Sequence, residues 1–341
     1  MTNSASTPPI NGNDNNSDYK PLPSDAFVRK VLKRIPLVRI LFKLVLGPEK
    51  AAMIDWSSLK AADSALVTST LKRRNLDLLF SVKYLDYTNL NLMLVFEHKS
   101  YIPAKDKSPL LQLLKYEVSV YEALEDYRRE ENVRRRKANV PPIDEPMGGI
   151  TSVLFYHGKR PWKALNWKQW TGFDQLPNEK QLIGIKDYSY SVCDISKMTN
   201  DELINFFSQS ADLMLMALFT RHSYLKKLDA AKIDSLLKLA YNTQSANEGF
   251  SILDELSAYI SEMVEPHEEE DVIKVVNKYD ENLKHKLMSI AEARELRGIE
   301  KGIEQGIVAM LKSGKLVPGE IASLLDVPLQ TVKEIKQKHH L

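Results

Sequence analysis

Three residues are charged where a strand should be apolar. Asp77 lies within LDLLFSV, and Glu97 and Lys99 end the segment LMLVFEHK. Nineteen residues separate Asp77 from Glu97, a spacing that suits a hairpin whose neighbouring strands bring the two carboxylates together. Strand alternation puts Glu97 and Lys99 on one face and His98 on the other. Two anionic groups held close repel each other. A divalent cation resolves the repulsion, and hard oxygen ligands suit Mg²⁺ or Mn²⁺. Lys99 can partly neutralise the pair, and beside a metal it can hold a water next to a phosphate. Metal-bound water is a better nucleophile, and the cation stabilises charge growing on phosphate oxygens. The chemistry described is metal-assisted phosphodiester hydrolysis. The same spacing also fits a strand-end salt bridge in solvent.

The elements must deliver these groups to one place. Residues 76–84 and 91–97 read as strands, and the turn chemistry of Asp86 to Asn89 joins them into a hairpin. Ser108 to Tyr127 reads as a helix with Pro109 in its first turn. Its Gln112 and Tyr116 are four residues apart and share a face, where either can hydrogen-bond a phosphate or a metal-bound water. The alternatives are an exposed polar residue and a half-buried packing residue. Val28 to Leu46 has helical spacing with an interruption at Pro36, and Ser24 or Asp25 can cap its start. A third strand spans 150–156, closed by His157-Gly158. Beyond Ser196 the pattern is helical, over roughly 200–227, 229–242, 249–264 and 269–297. The expected fold class is α/β: a mixed sheet flanked by helices, followed by an α-helical C-terminal region.

Composition excludes several classes. The 341 residues suffice for about two domains. Hydrophobic residues at 43% and charged residues at 27% are globular values, which argues against a wholly disordered or fibrous chain. The lone Cys193 excludes an intramolecular disulfide and a zinc-finger scaffold, and fits a reducing, cytoplasmic setting. No apolar run is long enough to span a membrane. The net charge of +2 hides an uneven distribution. Val28 to Lys43 carries six basic residues and no acid, whereas Asp254 to Asp271 carries eight acids and no Lys or Arg. These runs fit solvated faces, and they also allow a basic N-terminal half to meet a polyanion.

The longer segments carry a resemblance. IDWSSL at 54–59, NLDLLFSVKY at 75–84, LMLVFEHKS at 92–100, LLQLLKYEVSVYE at 110–122 and VLFYHGKRPW at 153–162 stand in one order. That order resembles the Rpn family of recombination-promoting nucleases, within the PD-(D/E)XK superfamily, over roughly residues 24–230. DAFVRKVL at 25–32 resembles the family's opening, where Ser24-Asp25 replaces the usual His-Asp. The resemblance implies a restriction-endonuclease-like core, Mg²⁺-dependent DNA cleavage and a link to recombination or mobile elements. It makes Asp77 and Glu97 metal ligands, with the His98 backbone carbonyl as a third contact. Lys99 becomes the superfamily lysine, where many members of this family carry Gln. The family helix more often carries Arg near the position of Gln112. Asp25 matches an acidic residue that many superfamily members bring to the active site, and an N-cap role explains it equally well.

The implied division is a disordered tail over 1–20, a nuclease-like domain over 21–230 with a mobile insertion at 128–149, a helical extension over 231–297, and a last unit over 298–341. That unit opens with Gly298, Gly302 and Gly306, four residues apart. Glycine costs helix stability, and close helix approach in a homo-oligomer could offset the cost. Leu316 to Lys338 then reads as helix, short turn, helix, either a small packing or oligomerisation element or a DNA reader. His157 reads as a structural histidine, and Trp162, Trp167 and Trp170 as a packing cluster. The leading expectation is a Mg²⁺-dependent DNA endonuclease using Asp77, Glu97, Lys99, Gln112 and Tyr116. Two alternatives are a non-catalytic DNA-binding protein that keeps the fold, and a structural protein assembling through its C-terminal helices.

Overall fold

The computed structural model describes residues 23–62, 78–86, 91–102, 108–176, 186–222, 227–243 and 249–341. The chain opens with helices α1 (Pro23–Val31) and α2 (Ile35–Ala51). The expected interruption falls between them, and Pro36 occupies the first turn of α2, where its missing N–H costs nothing. Strand β1 (Ile54–Ala61) follows, then β2 (Leu78–Tyr84) and β3 (Asn91–Lys99). Helix α3 (Pro109–Lys137) crosses to β4 (Gly149–Tyr156). After the short α4 (Trp167–Thr171) comes β5 (Ser191–Asp194).

The sheet order is β1-β2-β3-β4-β5. β1, β2 and β3 pair antiparallel, while β4 joins β3 and β5 joins β4 in parallel. The hairpin of β2 and β3 is therefore the one expected. β1 and β5 were not legible as strands. β5 is four residues long, too short for a period-2 signal, and β1 carries polar residues through its middle.

β3 is buried along nearly its whole length, and successive side chains alternate between two cores. Leu92, Leu94 and Phe96 join Phe80, Val82, Val153 and Phe155 against the helices on one face. Met93 and Val95 join Leu79, Leu154 and Tyr156 against Leu113, Tyr116 and Val120 of α3 on the other. The result is a mixed α/β layer arrangement, as the sequence implied.

Two helix boundaries differ from expectation. α3 runs past Tyr127 to Lys137, so the charged stretch forms its last turns. Arg134 and Arg135 pair with Glu131 one turn back, and four basic residues in the last turn suit the negative end of the helix dipole. The helix expected over 200–227 is two, α5 (Asn200–Phe206) and α6 (Ala211–His222), because Ser210 caps the second by accepting from Leu213 N at 3.2 Å.

The C-terminal half continues as α7 (Ala230–Thr243), α8 (Leu253–Met263), α9 (Glu269–Val276) and α10 (Glu281–Ser313). The helix expected over 269–297 is thus also two, split where Asp280 caps α10 by accepting from Leu283 N at 2.9 Å. These helices extend the first core through Leu236, Ile260, Val276 and Leu283. The last elements are α11 (Pro318–Leu324) and α12 (Leu329–Lys338).

Several acids of the acidic run pair within the molecule. Arg34 donates to both carboxylate oxygens of Glu255 at 2.7 and 2.8 Å, Arg294 binds Glu269 at 2.7 Å, and Lys286 pairs with Asp254. Part of the N-terminal basic run therefore binds the fold's own acids.

Candidate active site at the end of strand β3

The buried strand delivers a carboxylate to its exit. Glu97 pairs in register with Leu154 of β4, so its side chain points to the α3 face, where it is only 4% exposed. Ser108 caps α3 by accepting from Leu111 N, and Pro109 starts the first turn. That start sets Gln112 and Tyr116 over the strand end. Gln112 Nε2 donates to Glu97 Oε1 at 2.9 Å and to the Tyr116 hydroxyl at 2.5 Å. The Lys99 ammonium lies 2.7 Å from the same Glu97 Oε1. The structure thus brings together Glu97, Lys99, Gln112 and Tyr116. Gln112 lies against the carboxylate itself, and the buried Tyr116 lies against Gln112. A buried carboxylate needs such company, because an uncompensated charge out of water is costly.

Asp77 lies outside the described residues. The residue after it, Leu78, pairs with Phe96, the residue before Glu97.

The donor chemistry suits a hard divalent cation. Glu97 offers carboxylate oxygens at a strand end, with an ammonium and an amide beside them. Among the described residues no three His, Cys, Asp or Glu side chains form a metal-holding cluster. An ion here would therefore be held by Glu97, main-chain or water oxygen, and a carboxylate from outside the described residues, the place the sequence gives to Asp77.

The opposite face of β3 holds a second polar group that the sequence did not assemble. His98 Nδ1 lies 2.9 Å from Asp25 Oδ1 of α1. Its ring stacks on His157 with centroids 4.9 Å apart and planes at 17°. Both histidines are buried. Burial and the neighbouring His98 hold the His157 imidazole down at about 3, while the Asp25 carboxylate opposes that shift. His157 is accordingly a neutral ring, and its backbone N–H donates to Lys99 O at 3.2 Å. Asp25 therefore meets His98 and lies across the strand from Glu97. The available signal was that EHK and YHG end two strands. Reading it required the parallel pairing of β3 with β4, which periodicity does not reveal.

Gly158 has a local reason. A Cβ there would come within 2.7 Å of Ser100 O and would strike the Tyr156 ring, so the chain leaving β4 can turn past β3 only without a side chain. Trp162 is buried on Tyr156 and donates from Nε1 to the Tyr190 hydroxyl at 3.0 Å. Trp167 and Trp170 pair separately at the surface, so the three tryptophans are not one cluster. Cys193 is buried and its thiol is pushed up by burial, which makes it inert. Glu117 was not singled out from the sequence. It accepts from Ser152 and Tyr188 at 2.6 and 2.9 Å, and burial raises its carboxyl above the usual range.

The fold and this strand-end cluster fit one class, an α/β protein of nuclease-like architecture. The chain matches the family described as "Putative transposase, YhgA-like" over residues 22–249, well over half its length, and it belongs to that family. No solved structure matches it. No described helix is long and apolar enough to cross a membrane.

Proposed function

We propose that the protein is a metal-dependent DNA endonuclease linked to recombination or mobile elements. The observation that carries the reading is the convergence of Lys99 and Gln112 on one oxygen of a buried strand-end carboxylate, Glu97. Membership in a transposase family supports it by connecting the chain with mobile-element functions.

Glu97, with Asp77 and the His98 carbonyl, would hold Mg²⁺ or Mn²⁺. When bound, such an ion supplies charge neutralisation at the phosphate and a more acidic water. Gln112 fixes the orientation of the carboxylate by donating to Oε1, and Tyr116 accepts the second Gln112 hydrogen. Lys99 is partly exposed at the strand end. Its ammonium carries three N–H donors, which suits contact with a phosphate oxygen or the attacking water. Binding by a charged, oriented donor at the reacting phosphate is the chain's own contribution to the step.

Nicking of supercoiled plasmid tests the reading. Wild-type protein should nick with Mg²⁺ or Mn²⁺ and stop in EDTA, and Asp77→Ala and Lys99→Ala should be inactive. Equal cutting by wild type and both variants would refute the site. Salt-sensitive DNA binding with no cleavage under either metal would favour the non-catalytic alternative.

A further inference from the structure

The last forty or so residues build a unit of their own, and its outer face is not needed to hold it together. The end of α10 supplies Ile307, α11 supplies Ile321 and Ala322, and α12 supplies Val332; these four form a separate buried cluster. Leu325 and Val327 from the intervening turn, and Ile335 of α12, pack on its edge. The sequence showed a helix-turn-helix pattern after a glycine-punctuated helix. The structure packs that helix, which runs on to Ser313, into the same core.

The turn between α11 and α12 is four residues long. Asp326 adopts φ +51° within it, and Val327 N donates back to Ala322 O at 3.0 Å, which closes the turn sharply. A three-helix unit with a short left-handed turn before its last helix is the geometry by which helix-turn-helix proteins present that helix to a DNA groove.

The chemistry of the presented face fits the same partner. Val332 and Ile335 turn inward, while Gln330, Lys333, Lys336 and Gln337 are exposed. Lys338 and His339 are tied to Glu304 of α10 at 2.7 and 2.8 Å. Lys333 and Lys336 are in no ion pair among the described residues. The acid on this face, Glu334, accepts from Gln330 at 3.0 Å. From Lys312 to the C-terminus there are five lysines against three acids. Lysines meet phosphates, and glutamine can read an adenine edge.

Gly298 and Gly302 have nothing within 4 Å of a Cβ position. Close packing among the described residues therefore does not explain them.

We propose that residues 307–338 form a helix-turn-helix unit that docks on duplex DNA through α12, with Lys333 and Lys336 on the phosphate backbone and Gln330 toward base edges. The partner is double-stranded DNA, and the docking is independent of the chemistry at Glu97.

Fluorescence anisotropy of the full-length chain with a labelled duplex of about three helical turns tests it, in EDTA and across a salt series. The double substitution Lys333→Glu/Lys336→Glu should weaken binding about tenfold or more at low salt. It should also flatten the log–log salt dependence by about 2, one per lost phosphate contact. Both positions are exposed, so the variant should melt with wild type. An unchanged affinity and slope would overturn the proposal. So would an unchanged affinity with an altered mass by light scattering, which would make the face an assembly surface. The nuclease reading fails separately: wild type that binds this duplex in EDTA but never nicks with Mg²⁺ or Mn²⁺ refutes that reading and leaves the docking intact.

Discussion

The two faces of β3 carry polar groups of opposite character one residue apart. On the α3 face Glu97 meets an ammonium and an amide, and Lys99 reaches partly into solvent. On the α1 face His98 meets Asp25 and stacks on His157, with both rings buried. On the α3 face the carboxylate is 4% and the ammonium 15% exposed, so Lys99 is the group that a substrate phosphate would meet first. On the other face the two stacked imidazoles are buried and Asp25 is 13% exposed, and polar groups buried there are tolerated because they have partners. The proposed function puts the chemistry on the α3 face, and the stacked imidazoles suit a structural role on the other.

Four substitutions or conditions can break that assignment. The largest effect belongs to Lys99→Ala, expected to lower the nicking rate per folded molecule about a hundredfold or more; it also leaves the buried Glu97 carboxylate without its ammonium, so the melting temperature should fall as well. Loss of folding with retained specific activity would reverse the two faces. Next is His98→Ala. It removes a buried contact to Asp25 and a ring stack, and should cost about 2–4 kcal/mol in urea denaturation. The backbone carbonyl at 98 survives this change, so nicking per folded molecule should stay within about tenfold.

The third is a pH dependence. His157 is held at about 3 in the folded state, below its unfolded value of about 6.5. Below that unfolded value the unfolded chain binds the extra proton. Stability is therefore complete above about pH 6.5 and falls as pH drops toward 3, by at most about 1.4 kcal/mol per pH unit. Denaturation at several pH values should show this slope in wild type, and His157→Gln should remove one proton's share of it. An identical slope in the variant would place the acid sensitivity elsewhere. The smallest effect belongs to Gln112→Leu, which frees Glu97 Oε1 of one donor. A change of about 1 kcal/mol in stability or a few-fold change in rate is expected, and a loss as large as that of Lys99→Ala would mean that Gln112 itself contacts substrate.

The local chemistry of the site was legible in the sequence because it depends on short-range rules. Period-2 alternation separates Glu97 and Lys99 from His98, and the four-residue spacing puts Gln112 and Tyr116 on one helix face. The β2–β3 hairpin followed from its turn residues. What escaped depends on pairing between distant segments. Nothing in YHG shows that β4 lies parallel beside β3 and stacks His157 on His98. Nothing in DAFVRKVL shows that Asp25 faces the strand's far side. The glycine-punctuated helix was expected, but its place in the core of the C-terminal unit escaped. Its glycines lower helix propensity, yet Ile307, buried against α11 and α12, ties that stretch into the unit's small core.

Ion binding tests the central claim most directly. Titration of Mn²⁺ into the protein, followed by electron paramagnetic resonance of the free ion, should show a single tight site in wild type. Glu97→Gln should lose that site, and His98→Ala should keep it. If wild type binds no Mn²⁺, or Glu97→Gln binds it as well as wild type does, the α3 face of β3 is not a metal site and the assignment of chemistry to that face is wrong.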